Sequence, residues 1–323
     1  MMISTHNEVD LNLIIAEKIE AADGVAVIRL RQPDGSELPE WSPGAHVDLM
    51  LTPDTTRQYS LCGDPRDRSM WQVGVLREPE GRGGSAIVHD TLGVGDSVAV
   101  RGPRNHFQLE PSANYLFIAG GIGITPILAM ARQAHRTGAS WNLIYGGRSR
   151  STMAFAEELT TRFAGHVTLH PQNEVGHIDL DRLLSEVRPD TLIYTCGPAP
   201  LLDAVTDRCN HYGWPTGALH LERFAPKEMH EPERAGSFEV ELSLSGQTIT
   251  VTPDESILDA VTKCGIQVLS SCNEGTCGTC ETAVTSGIVD HRDSVLTEDE
   301  QAANDTMMIC VSRANCPKLV LEL

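Results

Sequence analysis

The chain has 323 residues, 41 % of them hydrophobic, and a net charge of −19. That length suits two or three domains with real cores and excludes global disorder. The acidic balance argues against nucleic acid or an anionic membrane as partner. The charge is uneven: residues 237–323 hold 14 acidic and 4 basic side chains, or −10 of the −19. An acidic stretch of this kind is either a docking face for a basic partner or a solvated surface.

The first residues, MMISTHNEVD, show neither a basic segment nor a long apolar one, so no export signal is expected there. Nine cysteines without such a signal point to a reducing cytoplasm and to ligand or core roles, not disulfides. Tyr115 to Ala131 is uncharged, but GGIGITP interrupts it, so it reads as a buried strand, a turn and a helix start, not a membrane span.

From residue 10 to 110 the pattern is β. LNLIIAEKIE and GVAVIRLRQ flank the turn Ala22-Asp23-Gly24, and AHVDLML, RQYSLCG, WQVGVLRE and DSVAVRGP follow. Six short strands separated by Pro, Gly and Asp clusters suggest a small antiparallel barrel. On RQYSL, Arg57 can hold a phosphate, Tyr59 can lie along an apolar ring, and Ser60 can reach a ring nitrogen or carbonyl. Alone, that stretch is also an ordinary amphipathic strand. GRGGS at 81–85 adds backbone amides and a hydroxyl suited to phosphate.

From residue 113 strands and helices alternate. YLFIA, WNLIY, HVTLH, TLIYT and GALHL read as strands; ITPILAMARQAHR, TMAFAEELTTRF, DLDRLLSEV and APLLDAVTDRCNHY read as helices. The expected fold is a five-stranded parallel α/β domain with its ligand at the carboxyl ends of the strands. Each strand there is followed by a distinctive loop: GGIGITP, GGRSR, PQNEVGH, CGPAP and ERF. Gly121-x-Gly123 matches part of the dinucleotide fingerprint, with Pro126 in place of its last glycine. Thr125 can cap the helix, Pro126 suits its first turn, and the helix start then faces a pyrophosphate.

APKEMHEPERAG, 225–236, reads as an interdomain linker. A hairpin, FEVELSLSG with QTITVTP, and a helix, SILDAVTKCG, come next. Cys272-x₄-Cys277-x₂-Cys280, followed after 29 residues by Cys310, is the plant-type spacing for a [2Fe–2S] cluster held by four thiolates. Gly275 and Gly278 let the backbone curl round a compact core with its amides turned inward. A zinc site would require a second close C-x₂-C pair, which is absent. Cys209 and Cys264 read as core residues of helices.

These segments together resemble the phthalate dioxygenase reductase and vanillate demethylase reductase group of the ferredoxin–NAD(P) reductase superfamily, over residues 10–323. The resemblance rests on RQYSL, RGGS, GPRNHF, GGIGITP, CGPAPLL, ERF and the four-cysteine module. It implies an FMN-binding barrel at 1–111, a nucleotide-binding α/β domain at 112–224, a linker at 225–236 and a β-grasp-like [2Fe–2S] ferredoxin domain at 237–323. It further implies flavin contacts from Arg57, Tyr59 and Ser60, with Gly83, Gly84 and Ser85 at the phosphate. Gly121, Gly123 and Thr125 would meet the nucleotide, Cys196, Gly197 and Pro198 the nicotinamide, and Phe224 the flavin ring. No distinct adenine-holding segment accompanies the barrel, which favours FMN over FAD. Arg148 and Arg150 stand where an acidic residue would favour NADH, so NADPH stays open beside it.

The function implied is a cytoplasmic, monomeric reductase that carries electrons from NADH through FMN and the cluster to a terminal oxygenase. No protein acid or base is needed for hydride transfer, so Cys196 reads as a packing residue. A Rieske non-haem iron oxygenase is the expected partner, with a haem-thiolate monooxygenase second. A redox-sensing module, a different class, would lack rapid NADH oxidation with artificial acceptors.

Overall fold

The computed structural model describes residues 8–226, 234 and 236–323. The opening residues and most of the expected linker at 225–236 lie outside the described residues. The chain divides into two compact units, 1–222 and 223–323.

The first unit begins with six antiparallel strands: β1 (Val9–Ala22), β2 (Val25–Arg31), β3 (His46–Thr52), β4 (Thr55–Ser60), β5 (Trp71–Leu76) and β6 (Ser97–Arg104). Their order is β4-β3-β6-β1-β2-β5. A bridge between Leu61 and Val73 joins the two edge strands, which makes the sheet a barrel and removes its free edges. Leu13, Ile28, Leu30, Val47, Trp71 and Val73 fill it, the inward set of each alternating strand. GPRNHF is framework here. Arg104 pairs with the buried Asp48 at 2.6 Å and with Glu8 at 2.5 Å, and Asn105 Nδ2 donates to Ser42 Oγ and Pro43 O. A short helix, α1 (Gly84–Asp90), was not anticipated in GRGGSAIVHD.

Five parallel strands follow: β7 (Asn114–Gly120), β8 (Ser140–Gly147), β9 (Val167–Pro171), β10 (Thr191–Cys196) and β11 (Leu219–Glu222), ordered β11-β10-β7-β8-β9. One face is covered by α2 (Ile124–Thr137) and α3 (Ala156–Arg162) around Phe117, Trp141 and Phe163. The other carries α5 (Leu180–Leu184) and α6 (Ala199–Tyr212), following the short α4 (Gln172–Val175), around Ile118, Val205 and Cys209. The order turns back at β7, whose neighbours are β10 and β8. That switch point is where a doubly wound sheet opens a crevice for a ligand. The helix expected over TMAFAEELTTRF starts late, because Phe155 takes a left-handed conformation, φ 62°, just before Ala156. Tyr194 OH accepts from Glu110 N and donates to Gln108 O, pinning the connector from the barrel to the sheet.

The second unit holds β12 (Phe238–Leu242), β13 (Gln247–Val251), α7 (Ile257–Lys263), β14 (Glu281–Ser286), β15 (Val289–Asp290), α8 (Glu298–Ala303), β16 (Thr306–Met308), β17 (Arg313–Ala314) and β18 (Lys318–Leu321). The mixed sheet β13-β12-β18-β14-β16, with β12 and β18 parallel, gives the β-grasp-like arrangement. Ser256 caps α7 in a capping box with Asp259. Arg313 braces the turn before it, donating to Thr252 O and Glu255 O while lying over the Phe238 ring.

Candidate functional site

The barrel brings its two expected flavin segments together. Arg57 on β4 donates to Arg82 O at 2.9 Å and to Thr56 O at 2.8 Å, and so lies across the start of the Gly-rich loop. A Cβ on Gly84 would fall 2.5 Å from Arg57 Cγ and 2.7 Å from its Nε, so only glycine lets the guanidinium stem lie there. Gly83 is left-handed, φ 80°, and starts α1, while Ser85 Oγ accepts from Glu78 N and closes the loop. Burial pushes the neighbouring Tyr59 phenol up to about 12, so the ring is neutral and usable as an apolar surface. Ser60 is buried at the end of β4. One cation, a glycine cradle and a flat neutral ring on adjoining segments fit a phosphate and the ring system attached to it.

At the switch point the nucleotide turn and the CGP loop meet backbone to backbone. A Cβ on Gly123 would lie 2.3 Å from Cys196 O, and one on Gly120 2.8 Å from Pro198 Cδ. Gly121 takes φ 55°. Thr125 does not cap the helix: α2 begins at Ile124, Gly123 holds the cap position, and Thr125 Oγ1 instead donates to Ile122 O at 2.9 Å. Its methyl group faces the barrel, 2.9 Å from where a Cβ on Gly74 of β5 would stand. Thr125 thus joins the two halves of the unit. Pro126 occupies the first turn, where its missing N–H costs nothing.

Glu222 was missed as a site residue, although ERF was noted. It pairs in register with Cys196 at the carboxyl end of β11. The residue as a whole is only partly buried, but its Oε2 is sealed from solvent and has no hydrogen-bond partner among the described residues. Burial pushes its carboxyl up to about 8, so it is largely protonated at neutral pH. Burial, and then the nearby Glu222, also hold the Cys196 thiol well above its usual value, which suits packing and not nucleophilic attack. An acid ending an otherwise apolar strand, LHLE, was the available signal. Phe224, two residues on, is 44 % exposed.

In the second unit the four thiols form a run of neighbours. The neighbouring Cys277, and then Cys310, hold Cys272 well below the usual thiol value, and Cys277 and Cys310 are correspondingly raised; the Cys277 thiol itself donates to Thr279 Oγ1 at 3.1 Å. The neighbouring Cys310 also holds Cys280 below the usual thiol value. Among the described residues no three His, Cys, Asp or Glu side chains gather as a holder for a single metal ion. Four ligands shared between two irons need not gather in that way, so the donor set fits a dinuclear cluster. Backbone amides are turned to the sulfurs as well: Glu274 N and Thr276 N donate to Cys272 Sγ at 3.3 and 3.4 Å, and Thr279 N to Cys277 Sγ at 3.3 Å. Cys277, Cys280 and Cys310 are buried, while Cys272 is partly exposed. Cys264 corrects its expected core role: it caps the end of α7 and is exposed. Cys316 stands apart, accepting from Ile288 N at 3.1 Å and donating to Lys318 O at 3.0 Å.

A flavin-suited barrel, a switch-point nucleotide crevice and a four-thiol loop together define a modular pyridine-nucleotide reductase. Comparisons with known proteins agree. Residues 117–207 match the oxidoreductase NAD-binding domain and residues 240–315 the 2Fe-2S iron-sulfur cluster binding domain. The chain is 44 % identical to the phenoxybenzoate dioxygenase subunit beta of Ectopseudomonas oleovorans, covering 94 % of each. It is 38 % identical to the phthalate dioxygenase reductase of Burkholderia cepacia, covering 97 % of each. Among solved structures, phthalate dioxygenase reductase, described as modular for electron transfer from pyridine nucleotides to [2Fe–2S], matches at TM-score 0.71 and 37 % identity, over 97 % of this chain and 98 % of that one. An intact type IV self-sufficient cytochrome P450 monooxygenase matches at TM-score 0.92 and 43 % identity; the chain covers 41 % of its length. The chain belongs to the phthalate dioxygenase reductase family: it is an oxygenase-system reductase that uses NADH, FMN and a [2Fe–2S] cluster. No helix among the described residues is long and apolar enough to cross a membrane.

Proposed function

We propose that this chain is a monomeric, cytoplasmic reductase whose electrons go to a Rieske non-haem iron oxygenase. In this reading residues 1–111 hold FMN, 112–224 the nucleotide, 225–236 link the units, and 237–323 carry the cluster. When bound, these groups would supply the redox chemistry, two electrons at a time on the nucleotide side and one at a time on the cluster side. The protein's part is placement. Arg57 with Gly83, Gly84 and Ser85 anchors the flavin phosphate; Tyr59 and Ser60 bound its ring. Gly121, Gly123 and Thr125 meet the nucleotide, and Cys196, Gly197 and Pro198 lie near the nicotinamide. Cys272, Cys277, Cys280 and Cys310 ligate the irons. Glu222, largely protonated at neutral pH with its Oε2 sealed from solvent, adds little charge at the carboxyl end of β11.

The observation that carries this reading is the likeness to phthalate dioxygenase reductase over 97 % of this chain and 98 % of that one. The likeness to the reductase portion of a self-sufficient cytochrome P450 favours a second reading, in which the acceptor is a haem-thiolate monooxygenase. Supplying the purified chain and NADH to one oxygenase of each kind separates them. Product from the Rieske enzyme alone is expected; product from the haem enzyme alone reverses the assignment. Failure to reduce even ferricyanide from NADH would leave the redox-sensing reading. Heat-released flavin is expected to be FMN, and predominant FAD would overturn the reading of the barrel.

A further inference from the structure

Nucleotide choice is decided at the adenosine end, at the carboxyl end of the strand beyond the Gly-rich turn, where an acid about 20 residues on selects a ribose 2′-hydroxyl. Here that strand, β8, ends in Gly146-Gly147 and runs into Arg148-Ser149-Arg150. Taken alone, two arginines there favour a 2′-phosphate. The structure changes that reading. Arg150 Nε lies 3.0 Å from both carboxylate oxygens of Glu174, which sits on the short helix α4 directly after the next strand, β9. The backbone fixes where this pair sits. Asn173 N donates to Arg148 O at 3.1 Å, tying the two segments together, and Asp23 N of the barrel donates to Ser151 O at 2.8 Å. Arg148 is exposed and has no side-chain partner among the described residues.

We propose that the Arg150–Glu174 pair is the nucleotide-specificity element of this chain, with Glu174 supplying from α4 the acid that β8 lacks. The inference rests on the reading that the nucleotide lies over the carboxyl ends of this sheet. Glu174 acts twice: it occupies the guanidinium that would otherwise grip a phosphate, and it repels the phosphate's own charge. A 2′-hydroxyl meets neither obstacle and can donate to the carboxylate. Both side chains are substantially exposed, 59 % and 43 %, so the repulsion is screened and the exclusion of NADPH is partial.

The test compares 5′-AMP with adenosine 2′,5′-bisphosphate by calorimetric titration of the FMN- and iron-loaded chain. Glu174→Gln is expected to shift the Kd ratio toward the bisphosphate about tenfold, with the NADPH-to-NADH ratio of kcat/KM moving in parallel. Glu174→Gln combined with Arg150→Gln is expected to return both ratios to within about twofold of the parent, since the gain runs through the freed guanidinium. Unchanged ratios in the single variant, or a gain that persists in the double, would overturn the proposal. Gly123→Val tests the underlying reading. If that folded, flavin-loaded variant binds both nucleotides as the parent does, the site itself is misplaced. If it loses both while Glu174→Gln changes nothing, the site stands and only the role of Glu174 is wrong.

Discussion

Gly123 in the nucleotide sheet and Gly275 in the cysteine loop both exclude a side chain, but for different reasons. Gly123 has an ordinary helical backbone, φ −61°; it is glycine because Cys196 O would lie 2.3 Å from a Cβ. Gly275 is left-handed, φ 68°, and a Cβ there would also lie 2.6 Å from Val311 Cγ2. The surroundings differ too. The turn at Gly123 follows β7, hydrogen-bonded along its length to β8 and β10, so its shape is set by the backbone hydrogen bonds of the sheet. Between α7 and β14, residues 264–280 form neither helix nor strand. Side-chain sulfurs and a few amides organise that loop, and thiolate–iron bonds are the strongest organiser available to it. One site is built by the fold, and the other is built with its cofactor.

The largest expected effect tests the second half of that contrast. Cys310→Ser replaces a soft ligand by a hard one, so iron per chain should fall from about two to near zero. Cytochrome c reduction should fall by about 100-fold or more while NADH–ferricyanide activity, drawn from the flavin, stays near the parent's. If the iron-free variant melts as the parent does, the loop is organised by protein alone and the contrast fails.

Gly123→Val tests the first half. Overpacking against Cys196 should push the turn outward and lower kcat/KM for NADH about 100-fold, with FMN and iron contents unchanged, because a shift near 1 Å is costly in a hydride-transfer site. Loss of iron in this variant would mean that the two sites do not form independently.

Glu222→Gln is a smaller, pH-dependent change. The folded carboxyl titrates near 8, above its ordinary value of 4.5. Between those pH values the folded chain keeps a proton that the unfolded chain has released, so Glu222 makes the parent progressively less stable as pH rises from 4.5 to 8. The amide cannot titrate. Chemical denaturation at pH 6 and pH 8 should show the variant gaining on the parent by about 1–3 kcal/mol across that interval. No change in the gap would mean that the carboxyl is solvated in solution. The smallest effect is expected for Cys316→Ser, whose thiol bonds only to the Ile288 and Lys318 backbone; measured iron should match the parent's.

Most of the architecture was legible because alternation and buried runs mark strands directly. YLFIA to GALHL became β7 to β11, and the cysteine spacing marked its own loop. What could not be read depended on contacts distant in sequence. Nothing in GRGGS says that Gly84 must make room for Arg57, 27 residues earlier, or that the residues after it form a helix. Thr125 looked like a cap because its local sequence allows one; packing against Gly74 on another strand gave it a different place. Glu222 was hidden for the opposite reason, since a strand-terminal glutamate usually reaches water and this one is sealed by its neighbours.

Cys280 and Cys310 belong to the same apolar cluster as Val240, Ile257, Met307 and Leu319. This has a consequence for biogenesis. Two of the four proposed ligands are also hydrophobic-core residues, so a fully consolidated domain would present to an incoming iron–sulfur unit little beyond the partly exposed Cys272. Delivery must therefore precede closure of the core or reopen it. In a growing cell the supply of iron and sulfide would then set how much of this reductase matures, with chains left unfilled being the first offered to proteases.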